Sequence, residues 1–152
     1  MSEVIFTAQH VVKQYGKNFA LNKFDMEIPR GSIYGFVGGN GAGKTTLMRI
    51  LSGRIAQTSG KIEIFGKSDE KELCVQRGHI GALIEMPALY SNMTARDNLE
   101  VLRLQQGLVE KACIMKALEV VGLADAGMKK VKDFSLGMKQ RMGLAMALMG
   151  NR

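Results

Sequence analysis

An α/β fold is predicted for this chain: an antiparallel β subdomain leads into a strand–turn–helix core that carries a helical insertion. Three patterns predict it. Apolar residues are spaced in twos near the N-terminus, a short apolar run passes through glycines into a helix, and the spacing becomes helical beyond Ile84. Residues 4–10 and 20–28 alternate as half-buried strands do, and Gly16-Lys17-Asn18 between them reads as a turn, so the two form an antiparallel pair. Pro29-Arg30-Gly31 ends the second strand. Residues 32–37 (Ser-Ile-Tyr-Gly-Phe-Val) form an apolar run of the kind buried on both faces of a parallel sheet. A helix is expected over 44–52, with Leu47, Ile50 and Leu51 on one face and Gly53 at its C-cap. Ser59-Gly60 opens a strand over 61–65, and the apolar residues 80–84 predict a further parallel strand. Thr94 and Asp97 make a capping box for a helix bearing Leu99, Val101 and Leu102 and stopping at Gly107. A second helix over 109–121 aligns Ile114, Leu118 and Val121, and Ser135 caps a last one running to about Met149.

The 152 residues are 46% hydrophobic and 23% charged, which suits one folded domain and excludes wholesale disorder. Only 2 prolines occur, and no segment has the biased composition of a linker. The longest run without a charge or strong polar group, about ten residues near 142–150, is far shorter than the roughly 20 apolar residues of a spanning helix. Met1-Ser2-Glu3-Val4 lacks the basic start and apolar core of a secretion signal, so the reading is a soluble intracellular protein. Cys74 and Cys113 lack metal-ligand spacing and are read as reduced packing residues. The net charge of +7 suits phosphate-bearing ligands, an anionic membrane surface or nucleic acid. The densest basic cluster is Lys129-Lys130-Val131-Lys132 and aromatics are only 6%, so nucleic acid is not the expected partner.

The sharpest motif is Gly38-Gly39-Asn40-Gly41-Ala42-Gly43-Lys44-Thr45-Thr46, which satisfies G-x-x-x-x-G-K-[ST]. Its glycines let successive backbone N–H groups turn inward on phosphate oxygens, and the helix beginning there adds its own unpaired N–H groups. Lys44 suits the β- and γ-phosphates, and the Thr45 hydroxyl suits Mg²⁺. A strand leading in and a helix leading out are what the motif requires. The chain is read as binding a nucleoside triphosphate, or as descending from one that did.

The loop alone does not separate transport ATPases from GTPases or kinases. Its surroundings do. Val12-Lys13-Gln14-Tyr15-Gly16, Ala20-Leu21 and Gly31-Ser32-Ile33-Tyr34-Gly35-Phe36-Val37-Gly38 resemble the start of an ABC-transporter ATP-binding domain. Thr58-Ser59-Gly60-Lys61-Ile62 and Ile64-Phe65-Gly66 resemble the same family. Phe134-Ser135-Leu136-Gly137-Met138-Lys139-Gln140-Arg141 is similar to its signature, L-S-G-G-Q-x-Q-R. The resemblance implies a P-loop NTPase core of ABC type, with ATP and Mg²⁺ as ligands. It implies that Tyr15 stacks on adenine, although a tyrosine packing at a strand end would read the same way. It also implies that Ser135, Leu136, Gly137, Met138, Lys139 and Gln140 face ATP held by a second ATPase domain, in a homodimer or heterodimer. A helix merely capped by Ser135 would look the same locally.

Four residues depart from the family pattern. Leu136 and Met138 replace the usual Gly and Gln of the signature, and Gly39 replaces the usual Pro of the loop. Glu85 stands where most members carry Gln, at a position implied to reach Mg²⁺ or its waters; a surface acid at a strand end is the plainer alternative. Ile84-Glu85-Met86-Pro87-Ala88-Leu89-Tyr90, taken with the signature residues, resembles the bacitracin- and lantibiotic-export branch.

In the family a strand ending in Asp-Glu follows the signature helix and supplies the Mg²⁺-binding acid and the acid that orients water; a later His senses the γ-phosphate. Residues 141–152 contain no Asp or Glu. The expectation is an incomplete central sheet and a chain that has no catalytic residue of its own and does not turn ATP over alone. The implied organisation is one ATP-binding portion over 1–152: a nucleotide-binding core over 1–87, a helical subdomain over 88–133, and the signature with its helix over 134–152. The implied partner is a membrane permease, docked by the loop from Glu85 to Asn92 and the helical insertion. The implied location is cytoplasmic, peripheral at the inner face of the cell membrane. Two other readings stay open: a nucleotide- or partner-binding fragment without ATPase activity, and an unrelated phosphate-loop GTPase or kinase.

Overall fold

The computed structural model describes residues 3–149. The chain forms two compact units divided between Gly78 and His79.

The first unit is built on three antiparallel strands in the order β2-β1-β3: β1 (Val4–Tyr15), β2 (Asn18–Pro29) and β3 (Ser59–Ile64). The predicted hairpin forms, with Tyr15 opposite Asn18. Alternation along β1 buries Phe6 and Ala8, then breaks phase and buries Val11. The break is a bulge at His10, whose positive φ of 49° lets its backbone N–H and Nδ1 both reach Asp25 Oδ1, at 2.7 and 2.8 Å. Those bonds hold the Asp25 carboxyl below its usual range. Helix α1 (Lys44–Leu51) buries Leu47 and Ile50, as its spacing predicts. Helix α2 (Glu70–Arg77) was not anticipated. It buries only Leu73, so its apolar period is faint, and the usable sign was Asp69, whose carboxylate accepts from Lys71 N–H at 3.0 Å. Arg77 reaches back across Gly53 to the carbonyls of Ile50 and Leu51, closing the C-terminal end of α1.

Two predicted strands are absent. Residues 32–37 carry no ladder, and Ile33 and Val37 are 103% and 94% exposed rather than buried on two faces. Residues 80–84 carry none either, though Ile84 is buried. A strand exists through bonds to its neighbours, and among the described residues the one sheet is the antiparallel one. The central parallel sheet is incomplete.

The second unit packs α3 (Ala95–Gln105), α4 (Ala112–Val120) and α5 (Leu136–Leu148) around Leu99, Ile114, Leu118, Val131, Phe134 and Met142. Both bonds of the predicted capping box form: Asp97 N–H donates to Thr94 Oγ1, and Thr94 N–H to Asp97 Oδ2. Helix α4 begins later than residue 109 because Arg103 takes the carbonyls of Leu108 and Val109. The same guanidinium grips Glu100 with two bonds, at 2.7 and 2.8 Å, and holds its carboxyl below the usual range. Met142 and Met149 are buried, and Met138 and Met146 pack against them, so the methionine stripe is core.

Asn98 is a buried amide that stitches the segment before α3 onto the helix. Its Oδ1 accepts from Tyr90 N–H at 2.8 Å, and its Nδ2 donates to Tyr90 O and Thr94 O at 3.1 and 2.8 Å. Tyr90 O and Thr94 O also accept from the backbone N–H groups of Met93 and Asn98, so Asn98→Ala strands the Tyr90 N–H and is expected to cost the second unit about 2 kcal/mol in urea unfolding, against a few tenths for a surface substitution.

Candidate functional site

The loop from Gly38 to Thr46 is held from both ends. Downstream, α1 is anchored by Leu47 and Ile50; upstream, Phe36 packs edge-on against Phe24 of β2, with ring centres 5.4 Å apart. Gly43 forms the join. Its φ is +83°, and a Cβ there would fall on the carbonyl oxygen of Ala20 and 2.7 Å from Leu21 Cδ2. Only glycine permits both the left-handed turn and this approach to β2. As N-cap of α1 it offers no side-chain cap to the first-turn N–H groups, and a cavity of about 290 Å³ at this end of the helix is lined by Ala20 and residues 40–46. That volume lies at the small end of ligand sites. Ala42 N–H donates to Gly39 O at 3.2 Å, tightening the loop.

Lys44 folds over this loop and donates from Nζ to Gly38 O at 2.5 Å and to Gly39 O at 2.7 Å. The ammonium is therefore held against the loop by the loop's own backbone carbonyls. Gly39, which departs from the family's Pro, contributes through its carbonyl alone. Thr45 lines the cavity. Tyr15 stands at the end of β1, 52% exposed, with the Lys13 ammonium 5.0 Å from its ring centre. Sequence reasoning passed over Lys13 and the Ala20 carbonyl. The strand spacing of 13 and 15 was a sign of the first; nothing local announced the second.

Glu85 and residues 135–140 belong to the second unit, whereas Tyr15 and the phosphate loop belong to the first. Glu85 adopts a φ of +65°, unusual for a residue with a side chain. Ser135 caps α5 by accepting from Met138 N–H at 3.2 Å, which leaves its hydroxyl proton free to donate. Leu136 is 62% exposed, and around Gly137 the space beyond Cα is open. Lys139 is half-buried, with Met138 packed on the core and Gln140 exposed. Arg141 is spoken for: its Nη1 donates to Val121 O and Gly122 O, closing the end of α4.

Residues 21–152 match the family described as ABC transporter. The chain belongs to the ABC transporter family. Its curated relatives include the bacitracin transport ATP-binding protein BcrA of Enterococcus faecalis, 41% identical over 97% of this chain and 48% of the relative. The BcrA of Bacillus licheniformis is 44% identical over 98% and 48%. The lantibiotic transport ATP-binding protein SrtF of Streptococcus pyogenes is 42% identical over 94% of this chain and 61% of its own length. The chain thus spans about half the length of the BcrA relatives it matches. Among solved structures, an ATP-binding cassette dimer in a post-hydrolysis state with ADP and phosphate aligns with a TM-score of 0.82 and 23% identity, covering 97% of this chain and 70% of that one. A bacterial Atm1-family ABC exporter with ATP bound aligns with the same score and identity, over 99% and 28%. The fold is that of ABC ATP-binding domains, and among the described residues no helix is long and apolar enough to cross a membrane.

Proposed function

We propose that this chain is the nucleotide-binding portion of an ABC exporter's ATP-binding subunit, holding MgATP on residues 38–46. The observation that carries the reading is the cavity at the α1 N-terminus, lined by residues 40–46 with Lys44 and Thr45 among them, and the Lys44 ammonium held on the carbonyls of Gly38 and Gly39. Lys44 draws the β- and γ-phosphates, Thr45 offers its oxygen to Mg²⁺, and Tyr15 receives the adenine ring. Among the described residues no three His, Cys, Asp or Glu side chains gather at one point, so the ion would draw its remaining oxygens from the phosphates and water.

Residues 135–140 are proposed to present the α5 N-terminus to nucleotide held by a second ATPase domain, identical or not. The complete subunit would couple ATP binding and hydrolysis to export of a bacitracin- or lantibiotic-like peptide, or another amphiphile, through a membrane permease. It would work in the cytoplasm, at the inner face of the membrane. The likeness to the bacitracin and lantibiotic relatives supports this substrate class. Residues 141–152 contain no Asp or Glu, the residue types that would orient water for hydrolysis.

Calorimetric titration tests the binding step. MgATP is expected to bind at millimolar concentration or below, and Lys44→Ala to weaken it at least tenfold, since an ammonium–phosphate contact is lost. Equal affinities would end the reading. Phosphate release should match the Lys44→Ala blank; release well above it would show that another carboxylate serves.

A further inference from the structure

Tyr15 is the least anchored member of the proposed site. It stands beside the Gly16–Lys17 turn with half its surface open. An exposed ring rotates about two torsions, and a base that stacks on it must bear the cost of stopping that motion. In a strand, residues 13 and 15 share a face, so the Lys13 stem runs toward the ring. Its ammonium sits 5.0 Å from the ring centre and also donates to Ala56 O at 2.7 Å. That carbonyl is itself steadied, because the same segment is tied to β1 twice: Thr58 N–H donates to Val12 O at 2.7 Å, and Gln14 N–H to Thr58 Oγ1 at 3.0 Å. The cation thus rests on a fixed support and covers one ring face.

We propose that Lys13 is a positioning residue for the nucleotide base, fixing the Tyr15 ring in the orientation on which adenine stacks. The proposal rests on the reading that Tyr15 receives the base. It differs from a role in phosphate binding or folding, because its effect must vanish for a ligand that has no base.

The experiment compares MgATP with magnesium inorganic triphosphate on the 152-residue chain. Lys13→Met, which keeps the stem and loses the charge, is expected to weaken MgATP about two- to fivefold, the range of an exposed cation–ring contact, and to leave triphosphate affinity unchanged. Lys13→Arg, whose planar cation also stacks, is expected to restore MgATP affinity. Tyr15→Ala should weaken MgATP alone, and adding Lys13→Met to it should cost nothing more. If Tyr15→Ala leaves MgATP affinity intact, the base-stacking reading falls and takes this proposal with it. If Tyr15→Ala acts but Lys13→Met does not, or acts equally on both ligands, the positioning role alone is overturned.

Discussion

Gly43→Ala is expected to abolish measurable MgATP binding and to lower the stability of the first unit by about 3 kcal/mol. Two costs add at this position. A non-glycine residue in the left-handed region loses about 1–2 kcal/mol. The new methyl must also displace the Ala20 carbonyl or Leu21, an overpacking cost of about 1–3 kcal/mol. The displacement matters most for function, because Ala20 walls the cavity at the N-terminal end of α1. Pushed off β2, the loop no longer holds that cavity's shape. Gly41→Ala separates the two costs. Its φ is +81°, yet nothing lies within 4 Å of its would-be Cβ, so it carries the strain without the clash. Urea unfolding and titration of both variants decide the matter: if Gly43→Ala is no worse than Gly41→Ala, the approach of β2 is not what shapes the loop.

Gly81→Val is expected to cost the second unit about 3 kcal/mol. The backbone of residue 81 lies so close to α5 that a Cβ would meet Ala147 O, and its φ lies outside the left-handed region, so the penalty is steric alone. The contact is reciprocal. Opposite it, Gly143 of α5 leaves room for Leu83, whose Cδ1 would stand 2.6 Å from an added Cβ, and for Pro87 Cγ at 3.1 Å. Two glycines thus let the 80–87 segment lie directly on the helix, and a branched side chain at 81 lifts it away and exposes Ile84. Gly137→Ala on the same helix meets nothing within 4 Å and replaces a poor helix former, so it should be neutral or stabilising by up to about 1 kcal/mol. Denaturant midpoints of the two variants give the comparison. A Gly81→Val midpoint equal to that of the parent chain would mean that 80–87 does not bear on α5.

The parts of the site that were legible in the residue order are those whose energetics close within a few positions. The loop-to-helix junction at Gly43-Lys44, the Thr94–Asp97 box and the Ser135 cap are each satisfied by bonds spanning three to six residues. The turn at Gly16-Lys17 and the apolar faces of α1, α3 and α5 are legible for the same reason. Helix α2 escaped notice because a helix that buries one leucine leaves almost no periodic trace.

What stayed hidden depends on partners far along the chain. Residues 32–37 have the composition of a doubly buried strand, but composition supplies no ladder, and Ile33 and Val37 stand in solvent. Residues 80–84 have the same composition and a different fate, because α5 lies against them. Arg141 sits within a resembling motif, yet its guanidinium closes the end of α4, about twenty residues upstream. The ammonium of Lys13 reaches Tyr15 only because Ala56 offers it a carbonyl across 43 positions. Local order in the chain dictated caps, turns and the glycine-rich loop, since backbone geometry and neighbouring side chains suffice for them. Whether an apolar run became strand or surface, and which cation met which ring or carbonyl, was settled by distant segments coming together.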